Sequence, residues 1–348
     1  MLRQIGWHVD LVYTDISMAN WRNLMRPHTS TDHVGINVNR TSSHWSLPRN
    51  NRLGMLLWLK IYCTQVKRYL SEYDMPDIIH AHTYLGGWVA AQIKHHFNIP
   101  YIITEHATAV QRNDLSSVHQ EILTTAYTQT NRIIAVSKQL QSTIAQRFPN
   151  VQVVPNFIDT NLFQLGHHDK TDSFNIIYVG DLITRKQVHL LIEACSKLSL
   201  PYQLTIVGDG PLSTNLEDLA KSLGVHARFL GRQSQTGIAE LLVNQHLMVH
   251  PSQTETFGLV LVEAMSCGVP VVAFDNGGAR DIITIETGLI VAGPSSSNLV
   301  EAIQKIYDNI DLYKPDTIRQ YAIDHFSVWA ISNRLWDIYK EVLENNHQ

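Results

Sequence analysis

Short apolar runs alternate with amphipathic stretches along most of the chain. WHVDLVYTD (7–15) has the pattern of a strand, and residues 27–50 are polar and irregular, which predicts a long loop. Residues 53–72 carry apolar side chains at helical spacing. A regular rhythm follows: strands at PDIIHAH (76–82), IPYIITEH (99–106), RIIAVS (132–137) and VQVVPN (151–156), with helices at 86–97, 115–130 and 138–148. Strand and helix in alternation predict a doubly wound parallel sheet. The rhythm breaks at the polar stretch 157–174, which reads as a linker. A second rhythm starts with strands at FNIIYVGDL (174–182), PYQLTIVGDG (201–210), ARFLG (227–231), LMVHPS (247–252), VPVVAF (269–274) and TGLIV (287–291). One amphipathic helix is predicted over 317–345. The expected fold class is therefore α/β, with two Rossmann-like domains facing across a cleft at the carboxyl ends of their sheets.

Composition narrows the choices. The 348 residues suit two domains, and 44% hydrophobic content supports a large core. A net charge of −4 excludes a strongly basic nucleic-acid binder. The charge is uneven: residues 1–150 hold 14 Lys and Arg against 9 Asp and Glu (+5), and 151–348 hold 13 against 22 (−9). A basic first half fits an anionic acceptor or a membrane surface, and equally ordinary scatter between domains. Cys63, Cys195 and Cys267 are too scattered for a disulfide framework or a metal motif, which points to a reducing cytosol. His80 and His82 alternate on a strand and His167 and His168 adjoin in a loop, without a supporting pattern for zinc. The start lacks the apolar core of a signal peptide, and LGMLLWLKIY (53–62) is too short to span a bilayer.

HPSQTETFGLVLVEAMSCGVPVVAFDNGG (250–278) carries the sharpest chemistry. It reads as strand end, loop, helix and second strand, with Glu255 in the loop and Glu263 along the helix. The amides of Phe257, Gly258 and Leu259 are expected in the first helical turn, where unpaired N–H groups and the helix dipole favour an anion. Gly258 permits close approach to the backbone. Taken alone, the two carboxylates read as a cap and a solvated surface residue. In this context they suit a ligand bearing both phosphates and hydroxyls, such as a nucleotide sugar.

The ordered set PDIIHAHTYLGG, IPYIITEH, RIIAVSKQL, VVPNFID, IIYVGDLITRKQVHLLIEA, LTIVGDGPL and HPS…E…FG…E…GVPVVA…GG resembles the retaining glycosyltransferases of family 4, which have the GT-B fold. The resemblance spans nearly the whole chain. It implies that Glu255 contacts hydroxyls of the donor sugar, Glu263 the ribose, and Lys186, with Arg185 beside it, the diphosphate. The amides near Phe257, Gly258 and Leu259 would meet the diphosphate and sugar. His106 would lie near the sugar and the acceptor. Gly180, Gly208 and Gly210 would line the donor site, and Arg232 would mark where the base is held. Without the resemblance, Lys186 reads as a solvated lysine, His106 as a core histidine and the VGDG glycines as turn residues. No Asp-x-Asp loop is present, so Lys186 and the helix dipole are expected to replace a metal ion, and no cofactor is expected beyond the donor.

The sequence departs from the family pattern at Asp181, where an arginine is usual, at Gln187, where a glycine follows the lysine, and at Phe157, again usually glycine. Arg185 is the expected partner of Asp181. RQIGWHVDLVYTD resembles the family's second strand, so the first strand and its Gly-rich loop are expected to be missing. The expected domains are 1–160 on the acceptor side, 161–325 for the nucleotide sugar, and a helix 326–348 returning to the first. The implied activity is transfer of a sugar to a glycan, lipid-linked or small-molecule acceptor in cell-surface glycoconjugate synthesis, in the cytoplasm or peripherally at the inner membrane surface. The alternatives are an epimerase or hydrolase of the same fold, or a nucleotide-sugar-binding protein without catalysis. The Glu-x7-Glu pair argues against the epimerase, and Asp181 with the expected loss of the first strand keeps the binding protein open.

Overall fold

The computed structural model describes residues 9–15, 27–31, 37–42, 52–166 and 173–346. These divide into two compact units. One is drawn from Met1–Ala135, Gln141–Val153 and Ser332–Gln348, the other from Val136–Leu140 and Val154–Ile331. His167 and His168 lie outside the described residues.

In the first region of the chain the elements are β1 (Asp10–Asp15), β2 (Pro27–Thr31), β3 (Asn37–Ser42), α1 (Arg52–Glu72), β4 (Ile79–His82), α2 (Thr83–Phe97), β5 (Tyr101–Glu105), α3 (Thr108–Gln111), α4 (Ser117–Thr128), β6 (Arg132–Ala135), α5 (Lys138–Ala145) and β7 (Val151–Val153). The rhythm of strand and helix is as expected, but there are two sheets among the described residues. The strands β4, β5, β6 and β7 are parallel neighbours in that order. A separate sheet has the order β1-β3-β2, with β2 antiparallel to β3. Residues 27–50 are thus not one long loop. Strands β2 and β3, PHTST and NVNRTS, are polar nearly throughout, so no apolar alternation betrays them, and ladder hydrogen bonding forms them instead.

In the second region the elements are β8 (Phe174–Val179), α6 (Val188–Cys195), β9 (Tyr202–Val207), α7 (Ser213–Ser222), β10 (Ala227–Phe229), α8 (Gln235–Leu242), β11 (Leu247–His250), α9 (Leu259–Ser266), β12 (Val271–Phe274), α10 (Gly278–Ile282), β13 (Gly288–Val291), α11 (Ser296–Asp308), α12 (Pro315–Phe326) and α13 (Val328–Asn346). The sheet order is β10-β9-β8-β11-β12-β13, all parallel. Ile176, Ile177, Leu247, Met248, Val249, Val271 and Val272 are fully buried, so both faces of the central strands are covered. That is why these strands read as continuous apolar runs rather than alternations. The order reverses between β8 and β11, and the carboxyl ends of strands at such a reversal are where ligands bind in open α/β sheets.

Two expectations about connections need correction. Residues 157–166 are packed rather than a free linker. Phe163 and Ile158 are buried, Ile158 bridges to Ser327, and Arg319 donates to the carbonyls of Phe163 (2.7 Å), Thr160 (3.1 Å) and Ser266. The helix expected over 317–345 is two helices. Ser327 takes an extended conformation between them, and its hydroxyl accepts from the Ala330 amide at 3.2 Å, starting α13 afresh.

Candidate functional site

The loops after β8 and β11 meet at the reversal point of the second unit's sheet. After β8 the chain passes Gly180, Asp181 and Leu182 to a 3-10 turn, Thr184–Lys186. After β11 it turns at Pro251 and returns to α9, with Glu255 held in a parallel bridge to Gly277. The turn and the loop are tied together: the Gln253 amide donates to the Arg185 carbonyl at 3.0 Å, and Arg185 Nη1 donates to the Thr254 carbonyl at 2.7 Å.

Among the described residues, Lys186, His250 and Arg185 converge on Glu255 Oε1. Lys186 Nζ is in direct ion-paired contact, His250 Nε2 stands at 2.9 Å, and Arg185 Nη1 at 3.8 Å. Burial by itself would raise the Glu255 carboxyl. The hydrogen bond to His250 and the positive charge of Lys186 outweigh it and hold the group well below the ordinary carboxylate range. His250 is wholly buried, and that burial lowers it against the pull of Glu255, with Lys186 and Arg185 adding to the lowering. The imidazole is therefore neutral, and since an ionised carboxylate only accepts, Nε2 carries the proton. Glu255 is not a helix cap: the residue preceding α9 is Gly258, with no side-chain cap.

Gly258 has φ 99°, a left-handed conformation that favours glycine. Phe257 and Gly258 precede the first helical turn rather than lie in it, and Leu259 opens it. The Phe257 ring is core, packed edge-on against Phe326 at 5.7 Å. Only its backbone is left for a ligand.

Glu263 lies on α9 and is only 5% exposed, which excludes the solvated alternative. Its carboxylate has no hydrogen-bond or ion-pair partner among the described residues, and burial pushes it up to about 7. A buried carboxylate without such a partner is free to accept a hydrogen bond from a ligand.

Gly208 approaches Gly180 so closely that a Cβ would come within 1.8 Å of the Gly180 carbonyl oxygen. The same side of the sheet carries Gly210, packed under Leu182. The turn reading of the VGDG glycines is thus also satisfied. Asp181 faces Arg232 at 3.7 Å, both exposed, while Arg185 is engaged by Glu255 and Thr254. Arg232, not Arg185, compensates the acidic departure. Gln187 adopts the left-handed conformation, φ 49° and ψ 36°, so the backbone there is the one glycine would take more easily. Phe157 shows no such positive φ.

His106 belongs to the first unit. It follows β5 beside the buried Glu105, whose carboxylate accepts from the Tyr84, His106 and Ala107 amides at 2.8, 2.9 and 2.8 Å and from Tyr127 Oη at 2.7 Å. Glu105 thereby fixes the backbone that presents His106. Three imidazoles stack in a column, His80 on His82 at 4.9 Å and His82 on His106 at 5.2 Å. His106 Nε2 meets His82 Nδ1 at 2.9 Å, and His80 is held between Tyr339 and Thr104, each at 2.6 Å. Burial lowers His80 to about 3 and His106 to about 4, with charge coupling along the column adding to both. His106 is therefore a neutral hydrogen-bonding group, neither a charge nor a simple core residue.

The second unit thus brings Lys186, Arg185, Glu255 and the start of α9 together, with Glu263 on the same helix. Sequence reasoning missed His250. The histidine stands in HPS just before the loop, but a buried strand end gives no sign of which way a ring points.

The family described as Glycosyltransferase Family 4 matches residues 2–162, and the one described as Glycosyl transferases group 1 matches residues 162–324. An uncharacterized glycosyltransferase, MJ1607 of Methanocaldococcus jannaschii, is 27% identical over 377 residues, covering 97% of this chain and 91% of that one. The N-acetyl-alpha-D-glucosaminyl L-malate synthase of Bacillus anthracis is 28% identical over 297 residues, covering 80% and 78%. Among solved structures, sucrose-phosphate synthase from Thermosynechococcus elongatus superposes with a TM-score of 0.83 at 23% identity, covering 99% of this chain and 91% of that one. Anabaena HepE, solved in complex with UDP-glucose, superposes with a TM-score of 0.72 at 23% identity, covering 88% and 86%. These structures share the two-domain fold of parallel sheets.

Proposed function

We propose that this chain, which belongs to the family 4 glycosyltransferases, is a retaining, metal-independent enzyme that takes its sugar from a uridine diphosphate donor. The observation that carries this reading is the convergence of Lys186, Arg185, His250 and Glu255 where the sheet order reverses, beside the amino end of α9. HepE was solved with UDP-glucose and the Bacillus relative is named for N-acetylglucosaminyl transfer, which supports UDP-glucose and UDP-N-acetylglucosamine as first donors to try.

In this reading Lys186 and the amides at the start of α9 take the diphosphate, and Glu255 accepts hydrogen bonds from sugar hydroxyls. Glu263 accepts from the ribose diol. The bond between the anomeric carbon and the phosphate oxygen breaks first, and UDP leaves with the electron pair. The acceptor oxygen bonds to the same face of the anomeric carbon, and its proton passes to the departing phosphate. His106, neutral and anchored by Glu105, hydrogen-bonds sugar or acceptor. A glycan or lipid-linked acceptor, used in cell-surface glycoconjugate synthesis, fits the basic first half of the chain. Contact with an anionic inner membrane surface from the cytoplasm fits the same charge and the exposed Leu53 and Leu57 of α1. Among the described residues no helix is long and apolar enough to cross a membrane.

The test is a thermal-shift screen of UDP and GDP sugars, followed by turnover of Glu255→Gln. Loss of one charge-assisted hydrogen bond, ~1.5–3 kcal/mol, lowers turnover roughly 10- to 150-fold while the variant still folds. No stabilisation by any nucleotide sugar, or wild-type turnover in folded Glu255→Gln, would defeat the reading.

A further inference from the structure

We propose that His250 is a positioning residue for Glu255, holding its carboxylate in place when Lys186 turns to the donor. The inference rests on the reading of Glu255 as the carboxylate that meets the donor sugar. Strand β11 is LMVH, and all four residues are buried. A fourth apolar side chain would fill that end with no polar group to satisfy. The chain instead places an imidazole there, with Nε2 at 2.9 Å from Glu255 Oε1 and Nδ1 buried without a partner among the described residues. An unpaired buried acceptor is unfavourable, so packing alone does not account for the residue.

Burial and a parallel neighbour restrict the ring. Tyr178 of the neighbouring strand lies parallel to it, 7° between planes and 5.9 Å between centroids. The loop that carries Glu255 is fixed as well. Asn276 Nδ2 donates to the Ser252 carbonyl at 3.0 Å, Ser252 Oγ donates to the Thr254 carbonyl at 3.2 Å, and Glu255 is bridged to Gly277.

The other two groups on Glu255 Oε1 are cations on a short turn. A diphosphate at the start of α9 competes with Glu255 for Lys186, and the lysine has four torsions with which to shift. His250 has no such freedom, because it is 1% exposed and sits on a central strand. Its N–H is a contact that persists through binding, so Glu255 keeps its orientation as the local charges rearrange.

Three variants test this. His250→Phe keeps a ring against Tyr178 and removes the donor. His250→Gln carries an N–H about as far from its Cα as Nε2 is. His250→Asn is polar but its amide stops short of Glu255. In His250→Phe and His250→Asn, kcat with UDP-glucose and UDP-N-acetylglucosamine falls roughly 10- to 150-fold. Binding of UDP alone, measured by calorimetry, stays within about twofold, and His250→Gln recovers most of kcat. Full turnover in His250→Phe, or equal impairment of all three, overturns the proposal. A second readout does not depend on any donor being turned over. In crystals of the three variants grown with UDP, whose diphosphate draws Lys186 away, the Glu255 carboxylate is displaced in Phe and Asn and back in place in Gln. An unmoved carboxylate in His250→Phe and His250→Asn overturns the assignment even if neither nucleotide sugar is a substrate. Should His250→Phe fail to fold, the comparison of Gln with Asn carries both readouts.

Discussion

Two carboxylates eight positions apart have opposite electrostatic settings. Glu255 is surrounded by Lys186, Arg185 and the His250 N–H and stays ionised. Glu263 is buried without a partner and titrates near 7. Its folded-state value is raised, so its contribution to stability is present below the ordinary carboxylate range and is lost as pH rises through 7. Glu263→Gln cannot ionise. The variant is therefore expected to match wild type near pH 4 and to exceed it at pH 8.5 by an amount on the order of 2–3 kcal/mol. Urea unfolding at the two pH values measures this, and an equal offset at both would contradict it. The same variant loses the charged acceptor, so gain in stability is expected together with weaker donor binding. Gln187, held at positive φ one residue after Lys186, is a place where local backbone strain accompanies the site.

At the scale of elements, strands β4 and β5 end in the histidine column. The folded-state values of His80 and His106 lie below those of the unfolded chain, so their contribution is present above about pH 6.5 and is lost as pH falls towards 4 and 3. Each proton taken up on unfolding steepens the fall by about 1.4 kcal/mol per pH unit. Hydrogen exchange between pH 7 and 4.5 is expected to show early loss of protection in β4 and β5, with the β8 and β11 amides retained longer. Parallel loss in both sheets would remove the column as the cause. The elements were unevenly legible in the sequence. Strands such as β11 and β12 are buried on both faces and announce themselves as apolar runs. Strands β2 and β3 do not, because what holds them is main-chain pairing. The break at Ser327 was hidden for a similar reason: the amphipathic pattern runs on across it, and the extended backbone of Ser327 and its hydroxyl on the Ala330 amide interrupt the helix.

For the whole molecule, the order of motifs announced two parallel-sheet domains and the residues Lys186, Glu255 and Glu263. It did not announce the relations among distant residues: Arg232 facing Asp181, Arg319 gathering three carbonyls, or His250 aimed at Glu255. Those depend on register and side-chain direction, which spacing along the chain leaves open. Because Lys186 and the start of α9 supply the positive charge at the proposed diphosphate site, turnover is expected to be insensitive to EDTA and to added Mg²⁺. An assay with and without chelator decides it, and activity lost to EDTA and restored by Mn²⁺ would show that these groups are not enough.

The path of the chain has one more consequence. Residues 136–140 fall in the second unit, and residues from 332 onward return to the first, where Tyr339 meets His80 and Glu341 pairs with Arg132. On the ribosome, then, the part of the protein synthesised first cannot finish first. Strands β4 and β5 must wait for α13 to emerge before His80 acquires Tyr339 as its second partner. The second unit, continuous from Val154 to Ile331 and joined by one short earlier segment, Val136–Leu140, has its sequence in hand earlier, reversing the usual order in which nascent domains mature.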